Sequence, residues 1–159
     1  MQTCYLLTAL SLIMLFVTGL QGYFSFFVLN ANHATFALLT VITYLFTETL
    51  VIFYFVGIGV SIKDYVREHT ADPEFHKRSL AIKRRVYPPL LLNMLFVMIL
   101  FISGGAVDTG RFPGWAHGVL FLVAIGHFLK VINVQHECFR EATYIVLDMS
   151  GIKRPTTQG

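Results

Sequence analysis

The sequence predicts an all-α, polytopic membrane protein: a four-helix transmembrane bundle with both termini on the cytoplasmic side. Three observations predict it. The 159 residues are 55% hydrophobic and only 13% charged, against roughly a quarter charged in a soluble domain. Four apolar stretches each reach the ~20 residues that cross ~30 Å of hydrocarbon. Seven of the twelve Lys and Arg lie between Lys63 and Arg85, which sets one side of the membrane apart by the positive-inside bias. Lipid offers no partner to open backbone groups, so the spans are helices. One bundle over residues 1–159, rather than two domains, suits a core shared with lipid.

The elements follow in order. The first helix spans about 4–29. Its apolar run lacks a positively charged flank and resumes through Phe27, so it reads as a membrane span and not a signal peptide. Asn30-Ala31-Asn32-His33 then makes a tight turn, with Asn32 as N-cap. The second helix spans about 34–68, long enough at 1.5 Å per residue to leave the membrane, roughly 52 Å. In the connection that follows, Asp72-Pro73-Glu74 is a helix-start signature. It opens a short amphipathic helix over about 73–86, with Phe75, Leu80, Ile82 and Val86 apolar. Pro88-Pro89 is expected to break the chain before a third span over about 89–106. Gly104-Gly105 to Gly114 forms the next turn, and the fourth helix spans about 115–147. The polar tail Pro155–Gly159 is expected to be held by a partner. No internal repeat is legible along the chain.

Composition excludes several classes. Two cysteines, Cys4 and Cys138, are too few for a disulfide framework, and no CxxC or CxxCH spacing occurs for a cluster or covalent haem. No nucleophile–base arrangement, phosphate loop or dinucleotide fingerprint is present, so no catalysis is expected of this chain alone. The basic block lacks aromatic interleaving. It points to anionic lipid headgroups at Lys63–Arg85 and not to nucleic acid.

The candidate site residues are polar groups at membrane depth. Glu48 and Lys130 sit in the second and fourth spans, about 21–23 Å from the face where both begin. A charge there costs about 2.5–3.5 kcal/mol on insertion scales, so the two are expected to pair. The bland role of such a pair is helix register; the sharper one is a proton or ion path. His33 and His117 each begin a helix on the non-cytoplasmic face and share a depth. Two neutral imidazoles on two helices are what axial ligation of a b-type haem requires, although an interfacial histidine is commonly just solvated. The layout resembles the small haem-b membrane anchors of respiratory complexes, in layout only. His127, deeper in the fourth span, suits a hydrogen bond to a neighbouring helix or the single axial bond of a chlorophyll. The polar set His69, His76, His136, Glu137, Cys138 and Glu141 lacks metal-ligand spacing, and Arg140 is available to relieve Glu137 and Glu141. The aromatic residues Tyr23, Phe24, Phe26, Phe27, Phe112 and Trp115 suit an interfacial belt.

Together these features lead to a small non-catalytic integral-membrane subunit of a larger energy-transducing complex, respiratory or photosynthetic, in a bacterial inner membrane. Its partners would be larger membrane subunits and lipid. One alternative is a haem-b or chlorophyll-binding electron-transfer anchor. Another is a stand-alone proton or small-solute carrier.

Overall fold

The structure, a computed structural model, describes residues 1–152. The tail residues 155–159, expected to contact a partner, lie outside them. Four helices follow one another up and down: α1 (Gln2–Phe24), α2 (His33–Glu68), α3 (Glu74–Asp108) and α4 (Gly114–Met149). All four are long and apolar enough to span a membrane, which makes this an integral membrane protein. The α1–α2 and α3–α4 turns share one end of the bundle, here the histidine end. The α2–α3 turn and the basic residues share the other, here the basic end.

Two boundaries differ from expectation. The first helix stops at Phe24, five residues before Leu29, because Ser25 turns left-handed at φ 51°. Leu29 and Asn30 also take positive φ, and Val28 and Ala31 exchange both backbone hydrogen bonds around them. Paired left-handed residues of this kind make a tight reversal that Asn tolerates well. Inside it, the buried Gln21 amide donates to the Phe26 and Ala31 carbonyls, each at 2.9 Å. Asn32 caps α2 as expected, its side chain accepting from the Thr35 N–H at 2.9 Å.

The larger correction concerns α3. The expected amphipathic helix over 73–86 and the third span are one helix, which runs through Pro88 and Pro89 without interruption. Two interior prolines each forgo a backbone hydrogen bond and cost about 3 kcal/mol in an ordinary helix. Here the buried stripe Ile82, Val86, Leu90, Asn93 and Val97 crosses them at helical spacing, so packing on both sides holds the axis. The carbonyls left free belong to Arg84 and Arg85, both exposed, where the helix meets water. Of the four apolar positions named for the short helix, Ile82 and Val86 are buried and Phe75 packs on the core, whereas Leu80 faces outward.

A second order in the packing is absent from the sequence reading. The α1–α2 hairpin and the α3–α4 hairpin repeat each other. Buried positions of α1 (Cys4, Thr8, Ser11, Leu15, Gln21) recur in α3 as Val86, Leu90, Asn93, Val97 and Ser103, residue n matching residue n + 82. Helices α2 and α4 face each other across the bundle and meet in register. Tyr44 contacts Phe128, Phe55 contacts Phe139, and the Tyr65 hydroxyl donates to the Met149 carbonyl, each pair 84 positions apart. The likeness is one of position along the helices and not of packing throughout, since α2 packs far more extensively on α3 than α1 does on α4.

Candidate functional site

At the histidine end the same register of α2 and α4 brings His33 and His117 together, also 84 positions apart, with ring centroids 6.5 Å apart and planes at 85°. The shared depth expected from sequence is thus a contact. Each ring lies on a glycine of the neighbouring helix. A Cβ at Gly22 would come within 3.1 Å of His33 Cε1, and one at Gly104 within 3.3 Å of His117 Cε1. These two glycines are themselves n and n + 82. Around the pair lies a cleft of about 1010 Å³, reached by all four helices and lined mostly by apolar residues such as Leu15, Val41, Val97 and Phe121. Trp115 and Tyr23 of the aromatic belt border it. Phe121 reaches into the space over Gly19, where any side chain on residue 19 would collide with its ring at 2.3 Å.

Hydrogen bonding ties His117 to α3. The Ser103 hydroxyl gives its one proton to the Leu100 carbonyl at 2.8 Å. Its oxygen can then only accept from His117 Nδ1, 2.9 Å away. With the hydroxyl proton so placed, His117 would carry its own proton on Nδ1 and leave the Nε2 lone pair available. That arrangement, a ring held by its far nitrogen, is the usual support of a metal-bound histidine. His33 Nδ1 is buried without a partner.

Below the histidines, polar contacts step along the bundle. Thr18 meets Thr40 at 2.8 Å and Ser11 meets Thr47 at 3.0 Å. Asn93 donates to the Tyr44 hydroxyl at 2.7 Å and meets His127 Nδ1 at 3.0 Å. His127 thus takes the hydrogen-bonded role and packs edge-on against Phe96; no second histidine joins it among the described residues. Next comes Glu48, fully buried.

The expected pairing of Glu48 with Lys130 is not formed. Glu48 accepts from Gln135 Nε2 at 2.6 Å, and its other oxygen is buried without a partner. Lys130 is exposed and makes no ion pair among the described residues. Depth was matched but direction was not. The buried face of α4 runs through Ala124, Phe128, Val131 and Gln135, and Lys130, five residues before Gln135, points about 140° away from it. From there its long stem can snorkel to the headgroups.

The basic end is closed by pairs. Arg78 holds Asp148 at 2.8 Å, and Arg85, rather than Arg140, holds Glu137. Tyr5 meets His136 at 3.0 Å. Cys4 and Cys138 are both free and buried. No group of three or more metal-ligating side chains occurs among the described residues. Ser103, Gln21 and Gln135 were missed as site residues. One signal in the sequence could have found the first two: a polar–glycine doublet, Gln21-Gly22 and Ser103-Gly104, stands ahead of each helix-opening histidine. Comparison with protein families, with curated proteins and with solved structures gives no match.

Proposed function

We propose that the protein is a haem-b-binding electron-transfer subunit, with His33 and His117 as the two residues that would hold the haem iron. The observation that carries this reading is the 6.5 Å separation of the two rings. Two imidazoles that would share one metal would stand at about this separation. The glycine under each ring and the apolar cleft around the pair suit a flat macrocycle. The Nδ1–H of His117, held by Ser103, leaves Nε2 to bind.

A b-type haem supplies reversible one-electron chemistry. The chain would orient the two imidazoles and surround the group with a mostly apolar lining. At the level of Phe55 and Phe139 the axis is filled by stacked rings, so a second haem has no place there. One haem near one face cannot carry an electron across ~30 Å of hydrocarbon. Its exchange partner lies at the same face or in the lipid. This is the reason to keep the protein within a larger respiratory or photosynthetic assembly, in a bacterial inner membrane. In that setting the basic end faces the cytoplasm and Lys63–Arg85 rests on anionic headgroups. The carrier reading weakens, because Glu48 no longer has Lys130 as a partner in a path.

The test is an optical spectrum of the purified protein, oxidised and reduced, with extraction of any pigment. A b-type spectrum is expected in the wild type, lost in His33→Ala and in His117→Ala and kept in His127→Ala. A colourless protein that retains its fold, or extracted chlorophyll, would overturn the reading.

A further inference from the structure

We infer that Gln21 is the positioning residue of His33, its Oε1 accepting the Nδ1–H of that ring when the histidines take their metal. The inference rests on the haem reading and concerns a residue outside the ligand pair. Two buried polar atoms at this end of the bundle lack partners, Gln21 Oε1 and His33 Nδ1. One is an acceptor without a donor. The other belongs to a ring that must carry its proton on Nδ1 once Nε2 binds a metal. A buried group left in that state costs about 1–3 kcal/mol, so a contact that satisfies both is strongly favoured.

The positional correspondence of the two hairpins says where the contact forms. Residue n + 82 of Gln21 is Ser103, and His33 corresponds to His117. In the second hairpin the equivalent bond is already made, Ser103 Oγ to His117 Nδ1 at 2.9 Å. The glycine that follows each polar residue lies against Cε1 of a ring, Gly22 under His33 and Gly104 under His117. A Cβ at Gly22 would stand 3.1 Å from His33 Cε1, with Nδ1 and Nε2 at 3.5 and 3.6 Å, so the Cε1 edge of His33 lies over the turn of α1 that holds Gln21, with Nδ1 among the ring atoms nearest to it. The orientation of the amide is settled as well. Its Nε2 donates to the Phe26 and Ala31 carbonyls, and a flipped amide would set an oxygen against two oxygens. Oε1 is therefore held in place as an acceptor. The glutamine ties the α1–α2 turn together with one end of its amide and offers the other to the ligand.

The two axial histidines would then differ: one is held by a serine hydroxyl, the other by an amide oxygen. A stronger acceptor on Nδ1–H pushes electron density through the ring onto the iron and favours the oxidised state. Removal of the acceptor does the reverse.

The experiment compares haem-loaded wild type, Gln21→Leu, Gln21→Glu and Ser103→Ala. Gln21→Leu is expected to raise the midpoint potential and to weaken haem retention about tenfold. Ser103→Ala should shift the potential in the same direction, and Gln21→Glu in the opposite one. A glutamine that only braces the turn would loosen haem in both variants and leave the potential of the remaining holoprotein unchanged, which overturns the inference. Should the variants not fold, a structure of haem-loaded wild type decides: Oε1 beyond hydrogen-bonding distance of Nδ1 rejects the contact. Wild type without haem rejects the preceding reading instead, so the two failures are distinct.

Discussion

Helices α2 and α4 meet on one axis at both ends of the bundle, yet the two meetings are built differently. At the basic end Phe55 and Phe139 stack at 4.9 Å, and Tyr54 and Tyr5 close on Phe139 at 5.0 and 5.2 Å. At the histidine end the corresponding pair stands 6.5 Å apart in a cleft. Protein interiors are otherwise close-packed, and open space forfeits dispersion contacts. The same architecture therefore stores rigidity at one end and leaves room at the other. An apolar cleft flanked by two imidazoles on glycines is what an occupant would complete.

The largest expected effect breaks the comparison at the open end. Gly104→Leu or Gly22→Leu would push a side chain into the ring beside it. Haem binding should fall by two orders of magnitude or more, while helix content stays near wild type by circular dichroism. Retained haem in both would mean that the glycines do not shape the site. Next in size is the closed end. Phe139→Ala removes a ring that touches three others and should cost about 3 kcal/mol, in line with large-to-small core changes. His117→Ala in haem-free protein should cost far less, since its ring borders space already. Reversible unfolding in detergent micelles measures both, and equal losses would erase the distinction between the ends.

Much of the architecture was legible, and the reasons are physical. Lipid forces helices, so four apolar runs became four spans, and the Asn32 cap was readable because capping is local chemistry. The common depth of His33 and His117 followed from counting residues. Direction around a helix did not. In a soluble protein the polar face shows which way a residue points. Here the lipid face is as apolar as the core, so Lys130 looked as able to meet Glu48 as Gln135 is. Pro88-Pro89 misled because the local rule was sound and the packing stripe from Ile82 to Val97 outweighed it. The likeness of the two hairpins was hard to see because position is repeated more often than residue type: Gly22 and His33 recur as Gly104 and His117, but Tyr44 answers Phe128, and Gln21 answers Ser103.

A smaller effect sharpens the middle of the bundle, between the two ends. Glu48 and Gln135 bridge α2 and α4 at 2.6 Å in a fully buried setting. Glu48→Leu strands the Gln135 amide, and Gln135→Leu strands the carboxyl. Each should cost about 1–3 kcal/mol. The double variant should recover part of that, because two apolar groups leave nothing unsatisfied. Losses that simply add would dissolve the bridge as a unit.

Smallest of all is Lys130. It was the natural partner for Glu48 by depth, and the structure turns it outward. Lys130→Met exchanges a snorkelling ammonium for an apolar chain of similar length, so it should change stability by no more than about 0.5 kcal/mol, as for surface sites without a special role. It should also leave the cost of Glu48→Leu unaltered when the two are combined, since residues with no shared partner add. A double-mutant cycle in micelles reads both quantities at once. Coupling of 1 kcal/mol or more would place Lys130 back inside the bundle in at least one state. It would also restore a charged pair between α2 and α4, and with it the proton-path reading that the present geometry sets aside.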